Sequence, residues 1–197
     1  MRNKIGNVLI LLGAAALLAA AGLMLFNRRE ESAAAAAVEA ALPQVLEEIR
    51  QQQETGPLPD PYSEEMREVS IGEENYIGYL SVPVLGLDLP VMAEWSYPLL
   101  KKAPCRYAGA TKTDDLVVMA HNYARHFGTI DTLSAGDEVI FTDMEGVITR
   151  YTVTALDVLD ASAVEEMTAG EYDLTLFTCT KNRTHRVTIR CNKTENS

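Results

Sequence analysis

Three patterns of apolar and polar positions follow one another along the chain. An apolar run from Ile5 to Phe26 is roughly the 20 residues a helix needs to cross a bilayer core. Residues 32–54 are rich in Ala, Glu and Gln, with Val38, Leu42, Val45, Leu46 and Ile49 at helical spacing, which predicts a helical stalk. Pro43 should kink that helix or restart it at a first-turn position. Gly56, Pro57, Pro59 and Pro61 then make a short stiff linker, so a domain boundary is expected at about residues 55–70.

From residue 70 the periodicity becomes that of strands. Residues 76–82 and 87–91 are apolar stretches joined through Pro83 and Gly86, and residues 116–120 form a short apolar run that ends at His121. Residues 138–142 and 147–159 flank the turn Asp143-Met144-Glu145-Gly146. In the second of these, Tyr151, Val153 and Ala155 alternate with Arg150, Thr152 and Thr154, the mark of a hairpin with one buried face. Residues 172–179 and 186–191 make the last pair. Helical turns are expected only at residues 97–101, 124–133 and 163–167. The class is mainly β, a closed or nearly closed barrel with short helices in its loops, preceded by a transmembrane helix and a helical stalk. The expected divisions are residues 1–29, a cytoplasmic tip and anchor; 30–69, an acidic stalk and linker; and 70–197, the barrel.

Charge narrows the function classes. A net charge of -11 argues against a nucleic-acid binder, which needs clustered Lys and Arg. Much of the acidity falls between Glu30 and Glu74, opposed in the stalk only by Arg50 and Arg67, and self-repulsion there would keep a tether hydrated and extended. Arg2 and Lys4 precede the apolar run, and Arg28 and Arg29 follow it, so the positive-inside bias is divided. Ala19 and Ala21 could imitate a signal-peptidase site, yet the run continues through Leu23, Met24, Leu25 and Phe26. The favoured reading is an uncleaved single-pass anchor in the cell membrane with the barrel outside.

The candidate chemistry centres on Cys179, at the end of the run Thr175-Leu176-Phe177-Thr178-Cys179. A free cysteine titrates near pH ~8.5, so only a few per cent is thiolate at neutrality, and that fraction is strongly nucleophilic. Lys181, Arg183 and Arg186 follow it closely and give the strand end an electropositive mouth; a buried inert cysteine is the bland alternative. His121 closes an apolar strand and is a candidate proton carrier. His126 reads as local packing or as solvent-facing, whereas His185, beside Arg186, stays open as a second candidate base. Arg186, Thr188 and Arg190 share one strand face by the period of two. Any of Arg183, Arg186 and Arg190 could serve as an oxyanion stabiliser through its planar paired donors, or be a solvated charge.

The run Thr175 to Cys179 resembles the TLxTC signature of sortases, and Thr184-His185-Arg186-Val187-Thr188-Ile189-Arg190 resembles the strand that carries their arginine. Tyr76-Ile77-Gly78-Tyr79-Leu80 with Val82-Pro83, Val117-Val118-Met119-Ala120-His121, and Gly136-Asp137-Glu138-Val139-Ile140-Phe141 are similar, in order, to further strands of that family. The resemblance covers about residues 70–192. It implies a sortase β-barrel and a cysteine transpeptidase that cleaves a C-terminal, LPxTG-like sorting signal through a thioacyl-enzyme and passes the protein to a cell-wall amine. By position it assigns Cys179 as nucleophile, His121 as the acid for the leaving amine, Arg186 as oxyanion or backbone stabiliser, and Thr178 to the substrate groove. Specificity in this family lies largely in the loop before the cysteine strand, here about residues 160–171. The implied partners are surface proteins bearing a sorting signal and an amine acceptor, either a peptidoglycan precursor or a pilin lysine.

The chain lacks the Asp-Pro-Trp lid common in pilin-polymerising members; Trp95 is followed by Ser96, Tyr97 and Pro98, which disfavours a pilin role. The acidic residues form no calcium-ligand series, so no cofactor or metal is expected. A Cys105 to Cys191 disulfide is a minor expectation outside the cell. A membrane-anchored barrel that only binds peptides, with Cys179 silent, is the alternative from another class.

Overall fold

The computed structural model describes residues 2–60, 62–169 and 171–194, with side chains from residue 6 onward. Pro61 of the linker and the side chains of Arg2, Lys4 and Ile5 lie outside the described residues. The first element is one helix, α1 (Arg2–Thr55), which runs unbroken through Pro43. Its apolar first half is exposed on all sides, as fits a membrane anchor or a signal sequence.

The second half of α1 is not a free stalk. Ala34, Val38, Ala41, Val45 and Ile49 are buried, a stripe at three- and four-residue spacing. Val38, Ala41, Val45 and Ile49 join one hydrophobic cluster with Met66, Tyr76, Ile77 and the barrel core. The stripe therefore docks on the domain, while Leu46 turns outward. The acidic side chains contribute to the docking rather than to extension: Glu30 pairs with Lys101 at 2.6 Å, Glu39 with Arg125 at 3.6 Å and Glu68 with Arg106 at 2.8 Å. The helix ends where the Gly56 amide bonds the Gln52 carbonyl at 2.9 Å, and the Gln52 side chain donates to the Pro57 carbonyl at 2.8 Å.

Nine strands follow: β1 (Val69–Ile71), β2 (Glu74–Val82), β3 (Leu87–Met92), β4 (Cys105–Ala108), β5 (Leu116–Met119), β6 (Glu138–Asp143), β7 (Ile148–Asp160), β8 (Leu174–Cys179) and β9 (His185–Lys193). Their order is β1-β2-β3-β4-β5-β8-β9-β7-β6, and β6 pairs back onto β2, so eight strands close a barrel with β1 as an added hairpin arm. Closure needs Gly78. It sits at φ 147° where the β2–β3 register shifts, and a Cβ there would overlap the Thr142 carbonyl of β6. Two short helices, α2 (Tyr97–Leu100) and α3 (Val164–Thr168), lie in loops. This is the mainly β closed barrel that the alternation implies.

Two strands escape the sequence pattern. β1 and β4 have three and four residues, too few to display a period of two. Residues 124–133, expected as a helical turn, are tight turns with one 3₁₀ segment, Ile130–Thr132. They are wound by amides of His126 and Gly128 that both bond the Tyr123 carbonyl, at 3.0 and 2.9 Å.

Candidate active site

The parallel pair β5 and β8 is the frame of the site. Leu116 to Met119 lie opposite Leu174 to Phe177 in order, and the Ala120 amide continues the ladder to the Phe177 carbonyl at 3.2 Å. Two residues further along each strand stand His121 and Cys179. On the other side of β8, the antiparallel strand β9 sets Arg186 directly opposite Cys179. Three neighbouring strands of the sheet, the hairpin β8–β9 and the sequence-distant β5, thus bring His121, Cys179 and Arg186 to one end of the barrel.

Alternation decides which side chains face out. Leu174 and Leu176 of β8 and Val187, Ile189 and Cys191 of β9 fill the barrel core. Phe177 instead joins Val117 and Met167 in a separate outer cluster with Tyr107, Ala108, Met119 and Leu159 packed against it. Cys179 shares the Phe177 face and is half-buried. Thr178 takes the inner face: it is 4% exposed, and its hydroxyl donates to the Ala120 carbonyl at 2.8 Å. Its contact is therefore with the segment leading to His121, which it ties to β8 next to Cys179. Asn122, Asp131, Thr178, Cys179, Lys181 and Val187 line part of a small cavity of about 40 Å³ at this end.

The His121 ring stacks on Tyr123 with centroids 4.8 Å apart, and its Nε2 is buried with no hydrogen-bond partner among the described residues. Burial lowers its affinity for a proton, and the Lys101 and Arg183 cations lower it further, while the Glu30 carboxylate acts in the opposite sense. The neutral imidazole is thus favoured. Sequence reasoning did not find Lys101, Tyr123 or Glu30 as neighbours of His121; Arg183 was in view only through its nearness to Cys179, and nothing in the pattern linked α2 or α1 to the histidine.

The other two histidines separate cleanly. His126 is fully buried, and burial pushes its pKa down to about 4, so it is a packing residue. His185 is exposed at the rim, with Nδ1 2.8 Å from the Thr184 hydroxyl.

The arginines separate too. Arg186 is part-exposed, and among the described residues its guanidinium makes a single hydrogen bond, donated to the His185 carbonyl at 3.3 Å, which leaves donors free for a ligand. Arg190 is 4% exposed and fully engaged: Nη1 donates to the Met167 carbonyl at 3.2 Å and the Thr175 hydroxyl at 3.1 Å, Nη2 to the Glu166 carbonyl at 2.5 Å, and Nε to Asp157 at 3.3 Å. It also lies over the Tyr172 ring at 5.2 Å. Its work is to pin α3 and the loop before β8. Arg183 stays exposed in the β8–β9 turn at φ 60°.

All three cysteines are free. Cys105 and Cys191 lie on β4 and β9, which β5 and β8 separate in the sheet, and burial pushes both thiols up to about 12. The bridge that the sequence left as the lesser possibility is not formed, and neither buried thiol is available as a nucleophile at neutral pH. Among the described residues no three His, Cys, Asp or Glu side chains gather in a way that could hold a metal ion.

A half-buried cysteine at the end of a barrel strand, with a histidine on the parallel neighbour and an arginine opposite, is an arrangement that can carry acyl transfer on a cysteine. The Sortase domain profile matches residues 80–194, more than half of the chain. The chain belongs to the sortase family and is a sortase cysteine transpeptidase. Solved structures agree in fold. Sortase C1 from Streptococcus suis is 26% identical, with 62% of this chain and 74% of that one covered at a TM-score of 0.53. Streptococcus pneumoniae sortase C is 21% identical (78% and 90% covered, TM-score 0.56). A lid mutant of sortase A from Corynebacterium diphtheriae is 19% identical (81% and 96% covered, TM-score 0.57). No curated protein sequence matches.

Proposed function

We propose that the chain is anchored by α1 in the cell membrane, displays its barrel outside the cell, and joins surface proteins to a cell-wall amine. In the minority state in which His121 carries the proton lost by the Cys179 thiol, the thiolate attacks the carbonyl of the scissile bond in an LPxTG-like sorting signal. The tetrahedral oxyanion collapses to a thioester, and His121 gives a proton to the departing amine. An incoming amine then attacks the thioester, loses a proton to His121, and releases Cys179. Arg186 donates to the oxyanion or to the backbone of the signal. The observation that supports this reading is the register: one end of the sheet aligns His121, Cys179 and Arg186, and of the two outward arginines on β9 Arg186 is the part-exposed one, with most of its donors unused, whereas Arg190 is buried and makes four bonds. The outer cluster around Phe177, Tyr107 and Met167 offers an apolar floor below Cys179 for a branched side chain of the signal. Thr178 supports the groove from beneath.

A lysine of a pilin is the alternative acceptor. The structural neighbours favour keeping it in view, because the Streptococcus pneumoniae enzyme is described with pilin substrate specificity, while the missing Asp-Pro-Trp lid opposes it. The test is cleavage of fluorogenic LPxTG-type peptides by the full chain in detergent micelles, without an amine, with an oligoglycine, and with a lysine-bearing peptide. Cys179→Ala should abolish turnover, and Arg186→Ala should lower it on the order of 100-fold with an unchanged melting temperature. Full activity in Arg186→Ala, with loss only in a folded Arg190 variant, would assign the role to the wrong arginine.

A further inference from the structure

The loop that follows His121 is held from a distance by the anchor helix. Glu31 Oε1 accepts the Ala124 amide at 2.7 Å, and Glu30 Oε1 bonds Lys101 Nζ at 2.6 Å, contacts that span 93 and 71 residues of sequence. Ala124 is next to Tyr123, whose ring stacks on His121 and lies 5.5 Å from His126. Few other bonds fix this stretch. The Phe127 amide bonds the His121 carbonyl at 3.1 Å, and the turn amides bond Tyr123, but each of these is internal to the loop. Phe127 packs the loop into the barrel core, but among the described residues the side-chain polar ties of residues 122–125 to other elements run through the two acids of α1 and the more distant Arg125–Glu39 pair.

We propose that Glu30 and Glu31 are positioning residues for His121, so that the anchor helix, and not the barrel alone, sets the geometry of the proton carrier. This rests on the assignment of His121 as the acid. Glu31 fixes the backbone on which the Tyr123 ring is mounted, and Tyr123 is one face of the His121 pocket. Glu30 acts through charge: it neutralises Lys101, one of two cations that face the imidazole. The groups around His121 are Glu30 and Glu31 from α1, Lys101 after α2, Arg183 from the β8–β9 turn, Cys179 and Arg186 from β8 and β9, and Tyr123 and His126 from its own loop. Among these, Glu30 favours the imidazolium while Lys101 and Arg183 oppose it.

Neutralising either member of the Glu30–Lys101 pair should therefore move His121 in opposite directions. Glu30→Gln lowers its pKa; Lys101→Met raises it. Since the reacting state pairs a His121 imidazolium with a Cys179 thiolate, the limb of the kcat profile that tracks His121 moves down in pH for the first and up for the second. Glu31→Ala frees the Ala124 amide, speeds amide exchange over residues 122–128, and lowers kcat on the order of tenfold with little change in KM. Glu31→Gln keeps a carbonyl acceptor and restores most of that loss.

The experiment uses the full chain in detergent micelles. Histidine C2 hydrogen–deuterium exchange read by mass spectrometry gives a residue-resolved pKa that does not depend on activity, and a pH–rate profile is run beside it. The expected result is an opposed shift of His121 in the two charge variants, matched by the kinetic limb, together with rescue by Glu31→Gln. A His121 that titrates alike in wild type, Glu30→Gln and Lys101→Met, or a Glu31→Ala chain with unaltered loop exchange, overturns the proposal. A His121 that shifts while the rate profile stays in place instead overturns the acid role of His121.

Discussion

His126 is buried without a hydrogen bond at either ring nitrogen among the described residues, and such a side chain is tolerable only while uncharged. Its pKa falls from 6.5 to about 4 on folding, so between those values the unfolded chain binds the extra proton. Stability is then complete above about pH 6.5 and falls as the pH drops toward 4, by about 3 kcal/mol in the limit. His121, lowered by burial as well, adds to the same trend. Denaturant unfolding at stepped pH should show this loss, and His126→Phe should flatten it; an unchanged slope would acquit His126. At this scale the sequence was legible where the local pattern carried the chemistry. Cys179, His121 and Arg186 each ended or began an apolar strand, so their place at a rim could be read. The opposite states of Arg186 and Arg190 could not, because both lie on one strand face. What distinguishes them is the loop carbonyls of Glu166 and Met167, which meet Arg190 only in three dimensions.

Among the elements, β2 is the strand on which the barrel depends, since it alone pairs with β1, β3 and β6. Gly78 permits this by offering no side chain where β6 approaches. Gly78→Ala combines an unfavourable φ of 147° with overlap on Thr142 and should cost about 3 kcal/mol. A thermal melt against wild type checks it, and an unshifted midpoint would mean that β6 can move aside. Long strands such as β7, with thirteen residues, announced themselves by alternation. The short β4 did not, although it carries Tyr107, whose ring packs edge-on against Phe177 at 5.2 Å, two residues before Cys179.

In the whole molecule, the stretch that composition cast as a hydrated tether is a wall of the fold. A charge count misses this because the stripe of Ala34, Val38, Ala41, Val45 and Ile49 occupies one narrow face, and only the barrel supplies the surface that completes it. Burying Val38, Val45 and Ile49 contributes on the order of 5 kcal/mol, a large share of the roughly 5–15 kcal/mol that a domain has. A chain beginning at residue 70 should therefore melt far lower than one beginning at residue 30, or aggregate; equal midpoints in differential scanning fluorimetry would refute the helix as part of the core. The unbroken passage of α1 from its apolar half to the barrel has a mechanical meaning as well. Glu30 stands four positions beyond Phe26, about 6 Å along the helix. With α1 as the anchor, the loop after His121 is thus mounted on a stiff post and not on a leash. A leash would let the enzyme sweep a hemisphere of wall; a post confines it to a thin shell against the lipid, where it meets partners by lateral diffusion and whatever it joins must come down to that plane.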